Sequence, residues 1–158
     1  MKTFTMKLHY LLSLSLLLTI FSCGKDEEES AIVFGGTINN NPFEIGQSTY
    51  SSFEDEFTFN IYSNAEMSED ICNVLPEGTR IFFKAKNSFE KQELFLDLSS
   101  FEAFTVTILN FDENSDIIIT DGSFQIIEND NDMIVADLMI SSNNGTSLEG
   151  RFTASLCE

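Results

Sequence analysis

A chain of 158 residues with 26 acidic and eight basic side chains carries a formal charge of −18, which repels DNA, RNA and anionic lipid headgroups. Sixteen Phe and only two Pro exclude a disordered tail. With no Trp and one His, at position 9, the chain has little of the side-chain chemistry that most catalytic and zinc sites require.

In chain order, the first nine residues carry Lys2, Lys7 and His9 with no acid, and Tyr10 to Phe21 reads YLLSLSLLLTIF. A run of about a dozen apolar residues is short for a span of ~30 Å of hydrocarbon. It has the basic head and apolar middle of a secretory signal peptide, and leucine on every face argues against a buried core helix. Residues 1–22 are therefore expected to be a leader. They hold two of the basic residues and none of the acids, so the remainder carries close to −20.

The leader ends TIFSC, with Ser22 directly before Cys23, and GKDEEES follows. This junction resembles the lipobox of bacterial lipoproteins, with Ile20 where Leu is usual and Phe21 where a smaller residue is usual. Looser boxes of that kind, followed by a lysine and acids, resemble those of surface lipoproteins of the Bacteroidota. The resemblance implies lipidation of the Cys23 thiol, and it implies that Lys25, Asp26, Glu27, Glu28 and Glu29 act as a signal for export to the outer face of the outer membrane. Two or more acyl chains hold a protein firmly on a bilayer, because each buried methylene contributes about 0.8 kcal/mol. Residues 23–30 would then be a lipidated cysteine and a solvated acidic tether.

From residue 31 to 158 the chain reads as one domain. AIVFGGTI puts Ile32, Phe34, Gly36 and Ile38 on one face, and Asn39 to Pro42 is a turn cluster. FEIGQSTY follows, then FTFNIY with Phe57, Phe59 and Ile61 inward and Thr58, Asn60 and Tyr62 outward. SNAEMSEDICNVL breaks the alternation: Met67, Ile71, Val74 and Leu75 have helical spacing, and Ser63 with Glu66 could form a capping box. RIFFKAK, ELFLDLS with Leu94, Leu96 and Leu98 on one face, and AFTVTIL resume the strand pattern. After the turn pair Asp121-Gly122, SFQIIE, MIVADLMI and TSLEGRFTASL form a terminal meander, with Asn143-Asn144-Gly145 as its second turn. About nine strands and at most one short helix predict an all-β fold, an antiparallel sandwich or closed barrel. GGTINNNPFEI and ITDGSFQI … SLEGRFTASL are similar to small Bacteroidota lipoprotein domains of unknown function, which offer no functional residues to carry over.

With Cys23 assigned to lipid, Cys72 and Cys157 form an even pair, expected to bridge. DENSD places Asp112, Asn114 and Asp116 two apart, as at the start of a calcium loop, but Ile117 and Ser123 stand where an EF-hand needs Gly and Glu. ENDND offers Asp130 and Asp132 at a hairpin tip. Both are weak metal candidates, since Asp and Asn are ordinary turn residues, and no metal or cofactor is expected. The sequence thus predicts a non-enzymatic, lipid-anchored surface protein whose β-domain binds a protein or small ligand. Two alternatives stay open: a lipocalin-like carrier with Phe-lined walls, and a hydrolase working through two carboxylates.

Overall fold

The computed structural model describes residues 32–63, 71–73, 78–86, 92–96, 104–110, 115–119, 121–130 and 132–157. These belong to one compact unit, Ala31–Glu158. They form ten strands: β1 Gly35–Ile38, β2 Asn41–Phe53, β3 Glu56–Ser63, β4 Thr79–Lys86, β5 Leu94–Phe95, β6 Phe104–Asn110, β7 Ser115–Ile118, β8 Asp121–Asp130, β9 Met133–Ser142 and β10 Thr146–Leu156. All lie in one sheet of order β5-β8-β9-β10-β1-β2-β3-β4-β6-β7, antiparallel throughout except for a short parallel contact between β10 and β2. The all-β expectation is met, and no helix occurs among the described residues.

Turn chemistry sets the local connections. Asn39 and Asn40 have φ of 51° and 63°, the pair of positive values that a two-residue hairpin turn of matching twist requires. Gly145, with φ of 85°, closes the β9–β10 turn, where Asn144 Oδ1 accepts the Thr146 N–H at 3.1 Å. Between these turns β9 and β10 pair without a break from Thr146↔Ser142 to Ser155↔Met133.

The sheet is curled. β7 and β8 stand near opposite ends of the strand order, yet only Ile119 and Thr120 separate them in the chain. The Cα atoms of Ile118 and Asp121 can therefore be at most about 11 Å apart. The inner face closes over aromatic rings from strands that do not pair. Phe59 of β3 meets Phe124 of β8 at 5.2 Å between centroids, although these strands lie five places apart in the sheet. Phe59 also stacks on Phe83 at 4.8 Å and meets Phe152 edge-on at 6.1 Å. Ile61, Ile81, Ile108, Ile134, Ala136, Leu138, Ile140, Leu148 and Ala154 fill the rest.

Several sequence expectations are corrected. The tenth strand, β7, occupies part of the segment read as a calcium-loop opening; Ser115 to Ile118 pair with Thr107 to Asn110 because Ile117 reaches the core. Asp121-Gly122 is the start of β8 rather than a turn; a Cβ on Gly122 would lie 2.6 Å from the Met139 carbonyl oxygen, so the glycine serves close strand approach. Ile32 is 65% exposed instead of inward, because the chain bends at Phe34 before entering β1. Tyr62 lies on the outer face as expected, yet is buried, with the Arg80 guanidinium over its ring. Ser63 ends β3 and accepts the Thr79 N–H on its Oγ, while Glu66, its expected capping partner, lies outside the described residues. Of the expected helix only Ile71 to Asn73 are described, as a turn; the rest, with Leu98, lies outside the described residues.

Candidate functional site

The sheet is least regular where β1 enters it. Residues Ile32 to Phe34 lie beside Arg151 in a local parallel bridge: Phe34 N–H donates to the Arg151 carbonyl at 3.0 Å, and Arg151 N–H to the Ile32 carbonyl at 2.6 Å. The chain then reverses sense, and β1 pairs antiparallel with β10 on one side and β2 on the other. Two glycines make this crossing possible. Gly150 has φ of 129°, and a Cβ there would lie 2.6 Å from the Ile32 carbonyl oxygen. Gly36 has φ of 144°, and its Cβ would meet the Ser147 carbonyl oxygen at 2.2 Å. No L-side chain fits such geometry without a backbone shift. β1 is thus a wedge between β10 and β2. Past it those strands rejoin, through Ser155↔Thr49, Leu156↔Tyr50 and a 2.6 Å bond from Ser48 Oγ to the Thr153 carbonyl.

On the solvent side the wedge leaves an open concavity of about 830 Å³, within the range of ligand pockets. Gly35 and Gly36 line it, together with residues that include Ile32, Val33, Pro42, Glu44 and Glu149. Val33 is 75% exposed. The register sets Glu149, Gly35 and Glu44 in one row across three strands, so the two carboxylates flank a position without a side chain. Two strand spacings put their Cα atoms about 10 Å apart. Both side chains are exposed, and among the described residues neither makes an ion pair or a side-chain hydrogen bond. Among the described residues nothing holds the two carboxyl groups in a fixed mutual geometry. Beyond the Val33 side of the concavity, the Arg151 guanidinium grips Asp137 through both carboxylate oxygens at 2.7 and 2.8 Å.

The residues singled out from sequence fall elsewhere. Cys72, in the Ile71–Asn73 turn, and Cys157, one residue past β10, form a disulfide with a Cα separation of 5.4 Å. The Cys157 N–H donates to the Tyr50 carbonyl at 2.7 Å, so the bridge clips the β3–β4 connection to the sheet end where β10 meets β2. Asp116 sits mid-strand in β7, paired with Leu109; Asp112 and Asn114 lie outside the described residues. Asp130 and Asp132 flank the β8–β9 turn as expected. Burial, and then the charges of Asp132 and Asp130, push the Tyr50 hydroxyl above its ordinary value. No group of three metal-capable side chains gathers among the described residues. Residues 1–31, with Cys23, Lys25, Asp26, Glu27, Glu28 and Glu29, lie outside them.

Sequence reasoning missed the concavity because Ile32 was counted as an inward residue. The signal available was the Gly35-Gly36 pair directly after the apolar run Ile32 to Phe34, since glycine inside a strand pattern often marks close backbone approach.

No family model matches the chain, and neither a curated protein nor a solved structure matches it.

Proposed function

We propose that the chain is a lipoprotein, anchored through Cys23 and displayed on the outer face of an outer membrane, whose β-domain binds a protein or small ligand without catalysis. The observation that carries the binding role is the open, glycine-lined concavity beside β1, on the solvent face of a sheet whose inner face is packed with meeting aromatic rings. Exposed backbone and exposed apolar side chains together are what a docking ligand needs. The packed rings favour this reading over an internal carrier, which needs a void where Phe59, Phe83, Phe124 and Phe152 touch. The two-residue link between β7 and β8 supports a barrel-like closure over a two-sheet sandwich. Glu44 and Glu149 are the observation that favours the second reading, a carboxylate hydrolase.

The anchor is tested by growing the source cells with an alkyne-bearing fatty acid. Label on the wild-type chain, lost together with membrane association in Cys23→Ser, is the expected outcome; a labelled Cys23→Ser chain would overturn it. Protease shaving of intact cells tests display. For the groove, residues 32–45 should show slowed amide exchange when the cognate ligand is added, and Glu44→Gln with Glu149→Gln separates binding, which persists, from hydrolysis, which stops.

A further inference from the structure

A second site stands on the same outer face, two strands from the wedge. The described cations of this acidic chain include Lys84, ion-paired with Glu56, and Arg151, paired with Asp137. Arg80 of β4 is different. Its Nε donates to Asn60 Oδ1 at 2.8 Å and its Nη2 donates to the same oxygen. The guanidinium carbon lies 5.9 Å from the Tyr62 ring centre and 5.2 Å from that of Phe82. No carboxylate among the described residues is within ion-pair reach of it. The acceptor that orients the group is a neutral amide, where an aspartate at the same position would have cancelled the charge.

Among the described residues this is a held cation without a carboxylate beside it. Asn60 uses the side fork of the guanidinium, and among the described residues Nη1 and the second N–H of Nη2 have no partner. A planar fork of this kind matches a carboxylate through two parallel bonds. Both rings lie within cation–π range of it, and Arg80 itself is half-buried. Around it the outer-face register places Leu109 directly beside Arg80, Phe82 one pleat along, and Ile118 across Thr107 from Phe82. Ile118 is 66% exposed. Asp116 is the next charge in that row, one strand beyond Leu109. The overall negative field opposes ligands of several negative charges, while the apolar surround favours a hydrocarbon body.

We infer that Arg80, held by Asn60 over Tyr62 and Phe82, binds a single carboxylate carried on an apolar body. The site stands apart from the concavity at β1 and does not depend on it.

The test titrates the full-length chain with phenylacetate and, separately, with its neutral isostere phenylacetamide, following backbone amide resonances. Phenylacetate is expected to shift Asn60, Tyr62, Arg80 and Phe82 saturably, and phenylacetamide to bind about tenfold more weakly or less. Asn60→Asp, which neutralises the guanidinium in place, should cost at least the same factor for phenylacetate with the melting temperature retained. Arg80→Lys keeps the charge without the fork and should lose most of the affinity. Equal binding of the two probes, shifts elsewhere only, or undiminished binding by Asn60→Asp would each overturn the assignment.

Discussion

β9 with β10, and β1 with its neighbours, are opposite solutions to the same backbone problem. The first pair runs through ten consecutive partners, and its fully buried side chains all lie on the inward face. The second is four residues long, enters through a local parallel bridge, and depends on two glycines at positive φ. The long ladder meets the concavity of about 830 Å³ only through Ser147 and Glu149, on the edge of β10 where the short wedge enters. A sheet in perfect register presents an even outer surface. Binding surface arises where the register is interrupted, and glycine is the residue that permits the interruption.

The largest expected effect probes the regular half. Phe59 is fully buried and meets the rings of Tyr50, Phe57, Phe83, Phe124 and Phe152. Phe59→Ala should lower unfolding free energy by about 3–5 kcal/mol in urea titration, since the ring loses its transfer energy and leaves a cavity. A loss near zero would mean that the rings do not form one core.

Next comes the bridge that ties the β3–β4 connection to the end of β10. Cys72 and Cys157 are 85 residues apart, and a closed loop of that length corresponds to roughly 4–5 kcal/mol in the chain-entropy account. Cys157→Ser should cost about 2–5 kcal/mol in the same titration, and the oxidised wild-type chain should resist alkylation at both positions. Two alkylatable thiols without reductant would remove the link.

A smaller and more local effect is expected at the wedge. Gly150→Ala forces a Cβ against the backbone of Ile32 and Phe34, at a cost of about 1–3 kcal/mol. Amide exchange should accelerate across residues 32–38 and stay slow in β9. Uniform acceleration over both regions would show that the wedge and the ladder open together rather than separately.

The smallest effect is a pH dependence at the rejoined end of β2 and β10. Burial first, and the nearby Asp132 and Asp130 second, raise the Tyr50 hydroxyl above 10.0. A raised acid keeps its proton longer in the folded state, so this contribution is fully present below pH 10 and is lost as pH climbs through the folded-state value. Stability of the wild-type chain should therefore fall more steeply above pH 10 than that of Tyr50→Phe. Parallel alkaline melting curves would refute the assignment.

Legibility followed regularity. Phe57, Phe59, Ile61, Ile134, Ala136, Leu138 and Ile140 were assigned inward from alternation alone, and all are buried. The turns at Asn39-Asn40 and Asn143 to Gly145 were readable because asparagine and glycine tolerate positive φ. β7 was hidden, since a four-residue strand that opens on Ser115 and Asp116 looks like a loop until β6 supplies a partner. Ile32 was misread because alternation counts residues along a straight strand, and the bend at Phe34 is invisible to it. The Arg80 cluster was out of reach too: Asn60, Tyr62, Arg80 and Phe82 come together only through the β3–β4 register.

Composition, alternation and turn residues were sufficient to establish an acidic, all-β domain with a Phe-rich interior, because burial of one face imprints a period of two on the chain. Strand order, the curl that brings Phe59 to Phe124, the wedge at β1 and the company Arg80 keeps were decided by tertiary structure alone. Each depends on which strands become neighbours, and pairing between distant segments is settled by packing of the whole core rather than by any local preference.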